Sequence, residues 1–155
     1  MTEMTKHPRI RDVKAKSLRV IPDERGWLME ILRADDGEWF TTFGQVYMSA
    51  TYPGVIKAWH LHKEMSLNYS VIQGMIKLVL YDDREGSPTK GEIQELFIGR
   101  ENYQLVQIPP RVWNGYKTVG TEMAILANCA TLAHDPDEIV RKSPFDPSIP
   151  YDWDV

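Results

Sequence analysis

Hydrophobic and polar positions along this chain change over at short intervals. Within residues 75–81, Ile76, Leu78 and Leu80 fall on every second position, so they share one face of an extended strand. No stretch of helical length keeps a 3.6-residue period. Turn signals punctuate the chain at the spacing of many short strands, among them Asp35-Asp36-Gly37, Tyr52-Pro53-Gly54, Gln73-Gly74, Glu85-Gly86-Ser87-Pro88, Pro109-Pro110 and Val119-Gly120. The runs between them predict strands over 26–33, 43–51, 55–62, 67–72, 75–81, 93–98, 103–108, 112–118 and 123–131. The pattern predicts one antiparallel β-domain spanning residues 1–155, either a sandwich or a barrel.

Composition narrows the picture. At 155 residues and 43% hydrophobic, with 10% aromatic residues, the chain suits one packed core and is too apolar to be disordered. Lys plus Arg total 18 against 22 Asp plus Glu, a net charge of −4, which argues against nucleic acid as a partner. The most apolar stretch, 124–133, is broken by Asn128 and too short to span a bilayer, so no membrane partner is expected. Residues 1–20 lack the apolar segment of a secretory signal, and a cytoplasmic protein is expected. The single cysteine, Cys129, excludes an internal disulfide and a cysteine metal cluster; it reads as a buried small residue.

The ends differ from the middle. Lys6, Arg9, Arg11, Lys14, Lys16 and Arg19 bias the start towards positive charge, read as a solvated leading arm because no aromatic residues interleave with the charges. Residues 135–155 are rich in Asp and Pro and are expected to wrap the domain surface.

Chemistry concentrates at Trp59-His60-Leu61-His62. Residues two apart on a strand share a face, so both imidazoles are expected to enter one space. Such a pair can bind a metal, exchange protons near neutral pH, or simply hydrogen-bond to its neighbours. Gly54, then His60-Leu61-His62, Leu67 and Gly74 have the spacing of the first cupin motif, and Pro109-x-Arg111-x-x-Asn114 falls where the second would be. In metal-binding cupins that resemblance implies a glutamate at Leu67 and a histidine at Asn114. Leucine cannot ligate and asparagine is a poor ligand for the metals imidazole favours, so no metal is expected.

A longer ordered set covers nearly the whole chain: Asp23-Glu24-Arg25-Gly26, residues 45–49, residues 54–60, Asp82-Asp83-Arg84 with Ser87-Pro88-Thr89-x-Gly91, Ile108-Pro109, and Asp146-Pro147 with Ile149 and Trp153. This set resembles the dTDP-4-dehydrorhamnose 3,5-epimerase family. The resemblance implies a cupin jelly roll, a homodimer, no cofactor, and a nucleotide-linked 4-keto-6-deoxy sugar as substrate. It also implies His60 as the base, with Arg25 and Lys57 on the diphosphate; Lys57 lacks the bidentate fork of an arginine. The family's lysine falls at Leu67, its second histidine at Asn114, and its tyrosine near Ala127 or Asn128. Its histidine-orienting aspartate lies in a tail segment with no match up to Val155. A shorter run, Trp59-His60-Leu61-His62-Lys63, is similar to the His-x-His-Lys strand of dTDP-sugar 3,4-ketoisomerases, where both histidines serve proton transfer.

The expectation is an all-β cupin that epimerises or isomerises a nucleotide sugar without metal or cofactor. His60 is the expected base and His62 a second proton carrier or orienting partner. Arg25 and Lys57 are expected on the diphosphate, and Gln45, Asn114 and Asn128 to hydrogen-bond the substrate. A cupin that binds a sugar nucleotide without turning it over is the alternative, and a metal cupin a third reading. Tyr47, Tyr69 and Tyr116 read as packing or as cavity phenols, and Trp59 and Trp113 as packing or as stacking surfaces. Arg84 reads as a structural ion pair, Lys63 and Glu64 as solvent-facing, and His7 and His134 as surface residues.

Overall fold

A computed structural model describes residues 9–154, so Lys6 and His7 lie outside the described residues. In chain order the strands are β1 (Lys14–Ser17), β2 (Val20–Asp23), β3 (Gly26–Met29), β4 (Gln45–Thr51), β5 (Ile56–His62) and β6 (Leu67–Gln73). They continue as β7 (Met75–Tyr81), β8 (Ile93–Gly99), β9 (Gln104–Ile108), β10 (Trp113–Val119), β11 (Ala124–Ala130) and β12 (Ile139–Arg141). One five-stranded sheet runs β1-β9-β6-β11-β4 and a second β12-β5-β10-β7-β8. Strands β2 and β3 form a separate hairpin. The recorded strand pairings are antiparallel, and the two sheets close on each other as a cupin jelly roll.

The alternation read in the sequence fills the space between the sheets. Ile76, Leu78 and Leu80 of β7 are fully buried against Leu67, Val71 and Leu126 of the facing sheet. Burying side chains of this size contributes about 1.5–3 kcal/mol each, which sets the register, since a slip of one residue would turn every one of them outward. A second cluster lies on the outer face of the β5-β10-β7 region. There Trp59, Val79 and Trp113 are covered by Ile149 and Trp153 of the tail, with the Trp59 and Trp153 ring centroids 5.1 Å apart. Trp59 and Trp113 are therefore packing residues on the face away from the interior.

Three strands fall outside the expected runs. Strand β1 pairs with β9, so the basic segment is not a solvated arm over 14–17. The Lys14 and Lys16 ammonium groups lie 4.9 and 4.8 Å from the centroid of the Trp39 ring, an aromatic neighbour that is close in space and distant in sequence. The hairpin begins at β2, and the run expected over 26–33 stops as a strand at Met29. Strand β12 adds an edge to β5 from within the Asp- and Pro-rich tail. Cys129 is half-buried, and burial raises its thiol pKa.

The turn after β7 is tied down by a buried carboxylate. Asp82 accepts hydrogen bonds from Arg84 Nε at 2.9 Å and from the Ser87 and Thr89 hydroxyls, both at 2.6 Å. Burial opposes its ionisation, yet these donors hold its pKa well below the usual carboxylate range. Arg84 also donates to the Arg11 carbonyl at 2.8 Å, so it is a structural ion-pair residue. Among the described residues no helix is long and apolar enough to cross a membrane.

Strand β5 departs from regular pleating. Asn114 of β10 pairs with His60, but Tyr116, two residues on, pairs with Lys57, three residues back. That extra residue is a bulge, and it places both Ala58 and Trp59 on the outer face while Lys57 and His60 face inward. Gly115 sits opposite it; a methyl group there would collide with the Ala58 side chain and press on the Trp153 ring. Gly115→Ala is expected to cost about 1–3 kcal/mol of stability, as overpacking of a close contact does. Denaturant unfolding checks this, and a midpoint equal to wild type would mean that β5 and β10 do not pack this tightly.

Candidate active site

The inward face of the bulged strand opens into a cavity of about 390 Å³. Lys57, His60 and His62 of β5 line it, facing Gln45, Tyr47 and Ser49 of β4 and Tyr69 of β6. Tyr116 of β10, Leu126 of β11, Ile139 and Arg141 of β12, and His134 of the preceding loop complete the wall. A larger groove of about 600 Å³ lies between β1 and β8 but contains neither histidine of the pair.

Of the seven residues singled out for the site, Gln45, Lys57, His60 and His62 line this cavity. Asn114 and Asn128 lie behind its wall, nearly fully buried. Asn114 accepts a hydrogen bond from the Tyr69 hydroxyl at 3.2 Å and donates to the His60 carbonyl at 3.2 Å. Asn128 accepts the Asn68 backbone N–H at 3.0 Å and donates to the Tyr47 hydroxyl at 3.1 Å. Both asparagines thus hold tyrosines that line the cavity, because their own amide groups are already spent on protein partners. Arg25 is elsewhere: it lines a separate depression on the β2–β3 hairpin, 84% exposed and 2.6 Å from Asp23.

Four contributors carried little or no sequence signal. Arg141 pairs in register with His60 across the β12–β5 edge. His134, read as a surface residue, lines the cavity while remaining exposed. Ser49 accepts a hydrogen bond from the Lys57 ammonium at 2.7 Å. Glu138, immediately before β12, lies 2.6 Å from His62 Nδ1. Each comes from a segment whose pairing with β5 is long-range or whose residue type is common at surfaces. Lys63 is exposed, its ammonium donating to the Asp137 carbonyl at 3.0 Å, and the Glu64 side chain is exposed too.

The electrostatics divide the titratable groups. Burial, followed by electrostatic coupling to Arg141, His62 and Lys57, lowers the His60 pKa to about 4. Burial, reinforced by Tyr47 and Tyr116, raises the Tyr69 pKa well above its ordinary value, so its phenol keeps its proton. At neutral pH the cavity wall therefore carries an unprotonated imidazole, His60, and a protonated phenol, Tyr69. Among the described residues, His, Cys, Asp and Glu form no group of three placed to hold a metal ion. Leu67, at the cupin glutamate position, is packed in the apolar core.

The His60 environment has a consequence for stability. The unfolded chain binds a proton at this imidazole near pH 6.5, whereas the folded chain resists it until about 4. Stability from this group is thus present above pH 6.5 and lost progressively as pH falls towards 4. The His60→Asn variant is expected to lose less stability than wild type between pH 7 and 4.5 in urea unfolding. Equal losses would show that His60 titrates normally.

Comparison with known proteins gives a consistent result. The dTDP-4-dehydrorhamnose 3,5-epimerase family model matches residues 7–155. A probable low-salt glycan biosynthesis epimerase of Haloferax volcanii is 42% identical over 146 residues, covering 94% of this chain and 90% of that protein. A spore coat polysaccharide biosynthesis protein of Bacillus subtilis is 37% identical, covering 94% and 97%. Among solved structures, a dTDP sugar isomerase from Desulfovibrio desulfuricans superposes with a TM-score of 0.91 at 38% identity, covering 94% and 92%. A Legionella pneumophila 3,5-epimerase in complex with dTDP-4-keto-L-rhamnose gives 0.83 at 27% identity, covering 95% and 81%.

Proposed function

The chain belongs to the dTDP-4-dehydrorhamnose 3,5-epimerase family, and from that premise we propose that it epimerises or isomerises a nucleotide-linked 4-keto-6-deoxy sugar by metal-independent proton abstraction beside the ketone. The observation that carries this reading is the placement of His60 and His62 in one cavity with Lys57 and three tyrosines. A C4 ketone acidifies the C–H bonds at C3 and C5. A histidine takes one of those protons, and the C–H electron pair becomes the enolate double bond. The negative charge on O4 then needs a donor or a cation. Lys57 and the Tyr47 and Tyr116 phenols are the groups available for that role, since Leu67 offers neither and the Tyr69 hydroxyl already donates to Asn114. Tyr47, whose hydroxyl accepts from Asn128 and so keeps its own hydrogen free, is suited to returning a proton to carbon.

The diphosphate requires positive charge. Lys57 and Arg141 supply it from within the cavity wall, and Gln45 adds a hydrogen-bonding amide. Arg25 cannot join them as a residue of the same wall, but a homodimer offers a route. Its hairpin exposes Ile21, Trp27 and Leu28, while β4, an unpaired sheet edge, exposes Val46 and Met48. Since β4 is also a cavity wall, docking the hairpin of one copy along the β4 edge of another would carry Arg25 towards the second copy's substrate. Relatives named for glycan and spore-coat polysaccharide biosynthesis fit a product destined for a polysaccharide.

Binding without turnover is the competing reading, favoured by the core leucine where the family has a lysine. NMR of dTDP-4-keto-6-deoxyglucose in D₂O separates the two. Wild-type protein is expected to introduce deuterium at C3 or C5, and the His60→Asn/His62→Asn double variant is expected to abolish it. Binding without exchange in wild type would establish the non-catalytic reading for this substrate. Arg25→Ala is expected to raise KM about tenfold, as loss of a charge-assisted phosphate contact would, with kcat little changed. Unchanged steady-state constants would remove Arg25 from the site.

A further inference from the structure

Resting on the proton-transfer reading above, we propose that Glu138 is a positioning residue that makes His62, and not His60, the histidine that takes the substrate proton. The geometry is specific. Glu138 is 7% exposed and uses both carboxylate oxygens. Oε1 lies 2.6 Å from His62 Nδ1, and Oε2 accepts the backbone N–H groups of Glu64 and Met65, each at 2.9 Å. Burial opposes its charge, but the Glu64 N–H, His62 and the Met65 N–H outweigh that and hold its pKa below the usual value. An ionised carboxylate only accepts, so His62 must donate from Nδ1. Its Nε2 is then a bare lone pair on the opposite edge of the ring, in a residue that lines the cavity.

His60 stands in the reverse situation. Among the described residues no carboxylate pairs with its ring, and its cationic neighbours are Arg141 and Lys57, with the His62 imidazole beside them. Protonating His60 places one more positive charge among cations, whereas protonating His62 completes an ion pair with Glu138. In the enolisation, Nε2 of His62 gains the proton and the C–H pair becomes the enolate C=C bond. The former carbonyl π pair moves to O4, and the imidazolium stays balanced by Glu138 until a proton returns to carbon. His60, kept neutral, is left to hydrogen-bond the sugar. The family resemblance places the base at His60; here the buried carboxylate has its partner two residues further along the same strand.

The test joins activity to a spectroscopic signature. In Glu138→Gln, the remaining carbonyl oxygen can still accept from Glu64 and Met65, but the amide nitrogen turned to His62 can only donate. The His62 ring must then accept at Nδ1 and carry its proton on Nε2, the wrong tautomer for a base. Imidazole ¹⁵N spectra are expected to show Nδ1–H for His62 in wild type and Nε2–H in the variant. Deuterium incorporation in D₂O is expected to fall about 100-fold or more in kcat, the scale of a lost general base, with KM within threefold. Glu138→Asp should recover part of that loss. The acid limb of the pH–rate profile should move to lower pH in Glu138→Gln, because the imidazolium loses its counter-charge. The other titratable groups around His62 stay constant across the pair: His60 and Lys57 on β5, Arg141 on β12, His134 in the loop before it, and the Tyr47, Tyr69 and Tyr116 phenols.

If Glu138→Gln does not fold, His62→Asn and His60→Asn decide the matter singly, with the larger kcat loss expected at His62. Exchange in Glu138→Gln within threefold of wild type, an Nε2–H tautomer in wild type, or a larger loss at His60 would overturn the assignment and leave the epimerase reading standing. Absence of exchange in wild type despite binding would overturn both, so the two failures are distinguishable.

Discussion

The single extra residue in β5 is the constraint on which the site depends. In a regular strand Lys57 and His60 would point to opposite faces, because they are three positions apart. The bulge turns both inward and sends Ala58 and Trp59 outward together, where the tail covers them. Gly115 makes this possible by having no side chain where Ala58 approaches. The cavity wall and the outer aromatic cluster are therefore two consequences of one local geometry. A substitution that regularised β5 would remove either Lys57 or the histidine pair from the interior.

Much of the fold was legible because its signals are local. The alternation of Ile76, Leu78 and Leu80, and the Gly- and Pro-containing turns, specify strands without reference to the rest of the chain. The His60–His62 pair was legible for the same reason: a spacing of two on a strand gives one face wherever the strand goes. What stayed hidden depends on distant partners. Strand β12 is three residues long, sits among Asp and Pro, and exists because it meets the edge of β5. With it come Glu138 and Arg141, neither of which belongs to any motif. Asn114 and Asn128 were placed in the right neighbourhood, but their burial turns them from substrate contacts into supports for Tyr69 and Tyr47.

Those two asparagines show how the site differs in kind from the pattern its family resemblance implies. Where a titratable histidine or tyrosine would face the substrate, a neutral amide instead fixes a tyrosine supplied by a neighbouring strand. Tyr69 on β6 and Tyr47 on β4 reach the cavity from positions other than the one at which the resemblance places the family's tyrosine. A phenol hydrogen-bonded to an amide oxygen and buried among other phenols resists ionisation, so it is a donor and not a base. Phenols thus line the cavity from other addresses in the sequence than the resemblance implies, and residue-by-residue transfer of roles therefore reaches its limit here.

The tail binds these features together by acting on both faces of β5. Its first part forms the β12 edge and, through Glu138, grips the loop after β5 by two backbone hydrogen bonds as well as the His62 ring. Its last part lays Ile149 and Trp153 over Trp59 on the opposite face. Between them, Trp59 and Lys142 exchange backbone hydrogen bonds at 2.8 and 3.1 Å. A strand held on one edge, on its outer face and at its end has little freedom to shift its side chains. That rigidity is what an imidazole needs if it is to stay within reach of one proton on a sugar ring, since a misplacement of about 1 Å can cost about 100-fold in rate. An Asp- and Pro-rich segment without regular hydrophobic patterning thereby becomes as much a part of the cavity as the strands that line it.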